Sequence, residues 1–97
     1  MSNAKGVALI TGSAQGLGRS IALRLARDGF DIALNDISPK RDQLRAVADE
    51  IEKIGRRTLL VPADVTVDEE VKGMVEAVVK ELGGLDVVSI TSRAGLG

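Results

Sequence analysis

The chain has 97 residues, of which 44% are hydrophobic and 28% charged, and its net charge is −1; these values indicate one modest globular domain without a basic surface for nucleic acid or anionic lipid. It contains neither cysteine nor histidine, which excludes a disulfide framework, the usual zinc sites and a Ser-His-Asp triad. No apolar run approaches the roughly 20 residues that span a bilayer, and residues 1–5 are too short and polar for a secretory signal, so a cytoplasmic protein is expected.

The first third of the chain predicts a strand, a turn and a helix. Residues 7–10 form a continuous apolar run, which is typical of a parallel strand buried on both faces. A helical pattern follows over residues 17–28, and Gly29 is placed to end it. The predicted apolar face of this helix consists of Leu17, Ile21, Ala22 and Leu25.

The middle of the chain predicts a second strand and a second helix. An apolar run within residues 31–35 indicates the strand. Ser38 and Pro39 are typical of a helix start, with the serine as N-cap and the proline in the first turn. The apolar stripe of this helix is expected to be Leu44, Val47, Ala48, Ile51 and Ile54.

The last part predicts a third strand over residues 58–61, a third helix and a fourth strand over residues 85–90. The pattern of residues 66–69 indicates a capping box at the start of the third helix. The resulting order βαβαβαβ predicts an α/β fold. We expect residues 1–97 to be the N-terminal half of one Rossmann-like domain, a parallel sheet with helices on both faces, truncated after about four strands.

The turn between the first strand and the first helix carries the strongest functional signal. Without a Cβ, glycine lets a pyrophosphate approach the backbone, and the helix that follows offers free N–H groups and the positive end of its dipole. Glycines also occur in turns for structural reasons alone, but a position between a buried strand and an amphipathic helix favours phosphate binding. The spacing here is G-x-x-x-G-x-G, in the sequence Thr11-Gly12-Ser13-Ala14-Gln15-Gly16-Leu17-Gly18.

Two acidic residues follow the later strands. Asp36 lies about 24 positions after Gly12, a separation at which a carboxylate can accept hydrogen bonds from an adenosine ribose and repel a 2′-phosphate. NAD is therefore predicted rather than NADP. Lys40 and Arg41 lie nearby and could soften this repulsion, but they are expected to face solvent in the first turn of the next helix. Asp64 and Val65 follow the third strand and are candidates to face the adenine ring, although acidic residues are common in turns.

Together these residues resemble the short-chain dehydrogenase/reductase family, whose cofactor motif T-G-x-x-x-G-x-G is matched in full. The resemblance covers about the first 88 residues, and residues 12–30 look especially like acetoin/diacetyl reductases. It implies NAD(H) as cofactor, and a small carbonyl or alcohol substrate in a full-length form. The predicted cofactor contacts are Gly12, Ser13, Gln15, Gly16, Leu17, Gly18, Asp36, Asp64 and Val65; no catalytic residue and no metal site is predicted.

Two departures from the family pattern limit what is expected of these residues. The family uses a Tyr-x-x-x-Lys pair, and the chain contains no tyrosine, so it is expected to be inactive alone. The family also ends its fourth strand with Asn-Asn-Ala-Gly, of which Ala94 and Gly95 resemble a remnant, with Arg93 in place of the second asparagine. The pattern predicts that the chain leaves the family register near Ser89, as a fragment, an alternative transcript or a faulty gene model would.

Three functional hypotheses remain open at this point. The first is the NAD-binding part of an oxidoreductase that transfers a hydride between nicotinamide and a carbonyl or secondary alcohol. The second is a non-catalytic dinucleotide-binding module, or one that pairs with a homologue or with itself through an exposed sheet edge. The third is an unstable truncated product, since small domains have little stability to lose.

Overall fold

A computed structural model describes residues 4–90 of the chain. Strands and helices alternate along the sequence as the periodicity predicts, although the third and fourth strands are shorter than expected. The elements are β1 Gly6–Ile10, α1 Gly16–Arg27, β2 Phe30–Leu34, a 3₁₀ turn Ser38–Lys40, α2 Arg41–Ile54, β3 Thr58–Leu60, α3 Asp68–Leu82 and β4 Val87–Ser89.

The four strands form one parallel sheet in the order β3-β2-β1-β4. β1 lies in register with β2 from Gly6 opposite Phe30 onwards, and with β4 from Ala8 opposite Val87 onwards. β2 and β3 lie on one side of β1, and the chain then crosses the sheet so that β4 pairs with the other side of β1. The predicted α/β fold is confirmed, and the strand order reverses between β1 and β4.

Alternate strand residues enter two apolar cores, one on each face of the sheet. Ile10 and Ile32 belong to the core that α1 and α2 cover, whereas Leu9 and Ala33 belong to the core that α3 covers. The central strands are therefore buried on both faces, which explains why their apolar runs are continuous. The prediction of helices on both faces of the sheet is confirmed.

Two residues that were predicted on buried helix faces lie at the surface. Leu17 is 69% exposed and Ile54 is 40% exposed. Leu17 belongs to the first turn of α1, which borders a cleft rather than the sheet, and Ile54 is the last residue of α2. Within α1 the buried side chains are Ala22, Leu23 and Ala26.

The predicted start of the second helix is wrong. Ser38 does not cap α2, because residues 38–40 form a separate 3₁₀ turn in which the Lys40 N–H donates to the Ile37 carbonyl at 2.9 Å. The α-helix begins only at Arg41. The proline that follows Ser38 suits the tight turn as well as a helix start, so its presence did not distinguish the two.

The predicted capping box of the third helix does not form either. The N-cap of α3 is Val67, which offers no side-chain hydrogen bond. Thr66 instead donates from its backbone N–H and its hydroxyl to the Asp64 carboxylate, at 2.9 and 2.6 Å. The Asp64 N–H donates in turn to the Glu70 carboxylate at 2.8 Å. The Thr66 side chain, which was predicted to cap α3, is therefore hydrogen-bonded to the carboxylate two residues upstream.

Candidate functional site

A cleft of about 480 Å³ opens beyond the carboxyl ends of β1, β2 and β4. It lies where the strand order reverses, the place where open parallel sheets bind their ligands. It brings together six of the nine predicted contact residues. Its lining comes from the loop after β1, the start of α1 and the ends of β2 and β4: Gly12, Gln15, Gly16, Leu17, Gly18, Ile21, Asp36, Lys40, Ser89 and Ile90.

The glycine-rich loop is fastened to the strands on either side of β1. The Thr11 N–H donates to the Ser89 carbonyl at 3.0 Å, at the end of β4. Ser13 donates from its N–H and its hydroxyl to the Asn35 carbonyl beyond β2, at 2.9 and 3.1 Å. Ser13 is fully buried and does not line the cleft, so the contact that the structure gives it holds the loop in place.

Two of the loop glycines have different physical reasons to be there. Gly16 has a φ of +61°, and a Cβ at this position would meet nothing within 4 Å, so its backbone faces open space. A Cβ on Gly18 would lie 2.1 Å from the Gly12 carbonyl oxygen. Gly18 is therefore required by the close approach of α1 to the backbone of the loop.

The side chains at the start of α1 do not compensate the free N–H groups and the positive dipole end of this helix. Its N-cap, Gln15, makes no side-chain hydrogen bond to the helix, and its first turn contains no acidic residue. By contrast, the first turn of α3 carries Asp68, Glu69 and Glu70. A helix start has free N–H groups and a partial positive charge. This uncompensated end borders the cleft beside the open backbone of Gly16, so the residues present fit a phosphate-bearing ligand.

Asp36 brings a carboxylate to the same cleft from the end of β2. One of its oxygens accepts the Ile37 N–H at 2.8 Å, and the other accepts the Ala14 N–H at 3.2 Å. These bonds fix the carboxylate beside the phosphate loop. A carboxylate offers about four lone-pair sites, so both oxygens keep acceptor capacity for a ligand.

Lys40 was expected to face solvent, but it borders the cleft. Its ammonium donates to the Gln15 side-chain oxygen at 3.0 Å, which connects the 3₁₀ turn to the phosphate loop. No sequence pattern predicts this contact, because Gln15 and Lys40 are 25 positions apart in the chain. The proline-containing turn that places Lys40 here was read as the start of a helix.

Asp64 and Val65 lie outside the cleft around Asp36. The pKa of Asp64 is lowered from its usual value because the Thr66 hydroxyl, and then the Thr66 N–H, hydrogen-bond to its carboxylate. Val65 is 46% exposed and lines a separate apolar groove that also includes Val88 and Ile90. Ile90 lines both the groove and the cleft, so the two depressions are neighbours.

Asn35 also supports the site, although it is not among the predicted contact residues. It is buried, and its side-chain amide donates to the Val61 and Ala63 carbonyls at 2.9 and 3.2 Å. Together with its bonds to Ser13, it ties the segments after β1, β2 and β3 to one another. The sequence signal for Asn35 is that a polar residue directly follows an apolar run, at the edge of the sheet where ligands bind.

Other kinds of site find no support in the part of the chain that the structure describes. Residues 4–90 contain no group of three or more acidic, histidine or cysteine side chains placed to hold a metal ion. Among these same residues, no helix combines the length and the apolar character needed to cross a membrane. Arg93, Ala94 and Gly95, the predicted motif remnant, lie outside the described residues.

Comparison with known proteins decides the family. A family model described as short chain dehydrogenase matches residues 6–96, most of the chain. The chain belongs to this family. The match continues past Ser89, where the sequence pattern predicted a departure, so that prediction is not supported.

Curated relatives extend well beyond the length of this chain. A short-chain dehydrogenase/reductase of Armillaria gallica is 52% identical over 82 residues, which are 84% of this chain and 31% of the relative. One from Hericium erinaceus is 47% identical over 96 residues, 97% of this chain and 37% of the relative. The chain thus spans about a third of the length of the curated relatives it matches.

Solved structures of the family superimpose closely on the fold. A dehydrogenase/reductase from Sinorhizobium meliloti has a TM-score of 0.87 at 34% identity, over 94% of this chain and 36% of its own. Carveol dehydrogenase from Mycobacterium avium, solved with NAD, has a TM-score of 0.81 at 36% identity, covering 88% and 34%. A blue fluorescent protein from a metagenomic library, solved with NADPH, scores 0.83 at 34% identity, covering 91% and 36%.

Proposed function

We propose that the cleft around Asp36 binds a nicotinamide dinucleotide and that it favours NAD over NADP. The observation that carries this proposal is the start of α1, which has neither a side-chain cap nor an acidic first turn and borders the cleft beside the open backbone of Gly16. The free N–H groups and the positive helix end suit the pyrophosphate. The NAD and NADPH complexes of related structures support a dinucleotide as the ligand.

Asp36 is proposed to hold the adenosine ribose. Each of its two oxygens accepts one backbone N–H and keeps a further acceptor site. Two neighbouring ribose hydroxyls can donate to these sites. The negative charge repels a phosphate on the 2′ oxygen, which favours NAD. Asp64 and Val65 remain the proposed adenine contacts, as both are exposed and follow β3 at the same edge of the sheet.

We further infer that this cofactor site serves hydride transfer between nicotinamide and a small carbonyl or secondary alcohol. The bound cofactor supplies the hydride chemistry. The 97 residues contain no tyrosine, so the family's proton donor is not among them. Their own proposed role is to hold and orient the cofactor, and the likeness to acetoin/diacetyl reductases stays a prediction about the substrate.

The test of the cofactor site is the variant Asp36→Asn, which removes the charge and keeps the size of the side chain. NADH binding is expected to weaken by about tenfold, because hydrogen bonds to a charged group contribute about 1.5–3 kcal/mol. NADPH binding is expected to be unchanged or tighter. The measurement is the Kd of each nucleotide from the fluorescence of bound NADH or NADPH.

Asp42→Asn is the matched control, since Asp42 lies in the exposed first turn of α2 and outside the cleft. It is expected to leave both Kd values unchanged. Equal weakening of NADH and NADPH by Asp36→Asn would contradict the assignment of Asp36 to the ribose. Absence of binding by the unaltered chain would contradict the cofactor site itself.

A second proposed property is self-association through the β4 edge. Among residues 4–90, β4 pairs with β1 alone. Val88 and Ile90 at this edge are 52% and 74% exposed. An apolar groove runs along each face of β4, one bordered by Ile21 and Leu25 from α1 and the other by α3. Unpaired, apolar edge strands tend to pair with other chains.

The 97-residue chain is accordingly expected to form dimers or larger assemblies, and Val88→Lys is expected to return it to a monomer. A charge on an edge strand opposes pairing by another strand. Light scattering coupled to size-exclusion chromatography measures the mass. Ile54→Lys, which charges an exposed isoleucine at the end of α2, the helix that packs against β3, is the control. A monomeric unaltered chain, or equal effects of both variants, would refute association through β4.

A further inference from the structure

Asn35 is the first residue after β2, and its backbone and its side chain bond in opposite directions across the sheet. Toward β1, its N–H donates to the Ile10 carbonyl at 3.0 Å, and its carbonyl accepts the Ser13 N–H and hydroxyl at 2.9 and 3.1 Å. Toward β3, its side-chain amide donates to the Val61 and Ala63 carbonyls at 2.9 and 3.2 Å. One residue thus bonds to the segments on both sides of β2.

These two sets of bonds lead to different parts of the proposed dinucleotide site. Ser13 belongs to the glycine-rich loop, which is proposed to bind the pyrophosphate. Residues 61–63, to which the side-chain amide bonds, lead directly into residues 64–65, the proposed adenine contacts. Asp36, the proposed ribose contact, follows Asn35 in the chain, and its carbonyl accepts the N–H of residue 63 at 3.1 Å. The bonds of Asn35 therefore connect all three parts.

The bonds toward β3 depend on the amide group of the Asn35 side chain. Its nitrogen has two hydrogens, and each of the two carbonyls accepts from it. Asn35 is 2% exposed and both acceptor residues are buried, so water has little access to replace the amide after its removal. The bonds toward β1 would survive the same change, because the backbone makes them. A substitution at Asn35 therefore acts on the adenine side of the site and spares the phosphate side.

We propose that Asn35 is a positioning residue for the dinucleotide, which sets the distance between the part that binds the pyrophosphate and the part that binds the adenine. Its backbone holds the first part and its side chain holds the second. This inference rests on the proposed dinucleotide site. Asn35 does not line the cleft, so it acts through the segments that it holds. A ligand that spans both parts binds more tightly when they are already fixed at the right separation, because a loose segment must be ordered during binding.

The test compares the Kd values of NADH, AMP and reduced nicotinamide mononucleotide for the unaltered chain and for Asn35→Leu, which keeps the approximate size of the side chain and removes both donors. NADH and AMP contain the adenosine end and are expected to bind about tenfold more weakly, as the loss of one net hydrogen bond predicts. Reduced nicotinamide mononucleotide carries a phosphate but no adenosine, and its Kd is expected to change by less than about twofold. Nicotinamide fluorescence reports the binding of both reduced ligands, and AMP is measured by competition with NADH.

Two further variants accompany Asn35→Leu. Asn35→Ser keeps one hydroxyl donor and is expected to weaken NADH and AMP by about threefold, and it decides the question if the leucine variant does not fold. Asp31→Ala is the matched control, because it removes another buried polar side chain from the opposite end of β2. The control is expected to lower the Tm without changing the Kd of any of these nucleotides.

The possible results separate the two proposals. If the Asn35 variants lower the Tm and leave NADH and AMP binding unchanged, the residue serves stability alone and the positioning role is refuted. If they weaken reduced nicotinamide mononucleotide as much as AMP, the side chain acts on the phosphate loop, which refutes its role on the adenine side. In both cases the dinucleotide site stands. If the unaltered chain binds none of these nucleotides, the dinucleotide site and the role of Asn35 are both refuted.

Discussion

Gly18→Ala is expected to destabilise the domain by about 3 kcal/mol and to weaken NADH binding by at least about tenfold. The new methyl group would lie 2.1 Å from the Gly12 carbonyl oxygen and 3.0 Å from the Ser13 Cα. These are backbone atoms of a loop that is fastened to β2 and β4, so they have little room to move. The first turn of α1 must shift away from the loop, which displaces the N–H groups proposed to bind phosphate.

The sign of this effect is informative, because glycine-to-alanine changes inside helices ordinarily stabilise by about 0.5–1 kcal/mol. Gly73→Ala in α3 is the matched control, since a Cβ there would meet nothing within 4 Å. It is expected to raise the free energy of unfolding by that amount and to leave NADH binding unchanged. Denaturant unfolding and NADH titration measure both. A Gly18→Ala protein as stable as the unaltered chain would contradict the observed packing of the loop.

The second large effect is expected at the opposite end of the sheet, at Asp31. This carboxylate is 1% exposed and begins the buried stretch of β2. It accepts the Arg57 N–H at 2.9 Å and the Arg57 guanidinium at 3.0 Å. Arg56 lies 3.9 Å away and also donates to the Gly29 carbonyl. Asp31 therefore joins the start of β2 to the segment that leads into β3.

Asp31→Ala is expected to lower the free energy of unfolding by about 2 kcal/mol, because the Arg57 N–H and the largely buried Arg56 guanidinium lose their carboxylate partner. Asp31 lies far from the carboxyl ends of the strands, so the Kd of the remaining folded molecules for NADH is expected to stay the same. Equilibrium urea denaturation gives the stability. This separation of stability from binding distinguishes Asp31 from Gly18.

The control for Asp31 is Asp49→Ala, which removes an exposed carboxylate that pairs with Arg45 on the surface of α2. Surface ion pairs of this kind contribute about 0–1 kcal/mol, so a small change in stability is expected. If Asp31→Ala and Asp49→Ala lower stability equally, burial of the Asp31 cluster does not contribute as described. If Asp31→Ala also weakens NADH binding, the two ends of the sheet are coupled.

The sequence by itself determined the α/β fold and the position of the cofactor loop. Continuous apolar runs occur where strands are buried on both faces, and Leu44, Val47 and Ile51 follow the helical period because one side of α2 covers the sheet. The glycine spacing is recognisable in the sequence because these positions exclude a Cβ. At Gly18, for example, a Cβ would collide with the Gly12 carbonyl oxygen. These are local properties of the chain, and they were predicted without knowledge of the tertiary contacts.

Only the tertiary structure decided which polar side chains meet. Thr66 donates to Asp64 instead of accepting a backbone N–H at the start of α3, and Lys40 donates to Gln15 beside the cleft. Asp31 is read as one residue of a strand until the fold brings Arg57 beside it. A side-chain hydrogen bond depends on distances of a few ångströms between segments far apart in sequence. No periodicity records those distances, so they follow from the packing of the sheet and its helices.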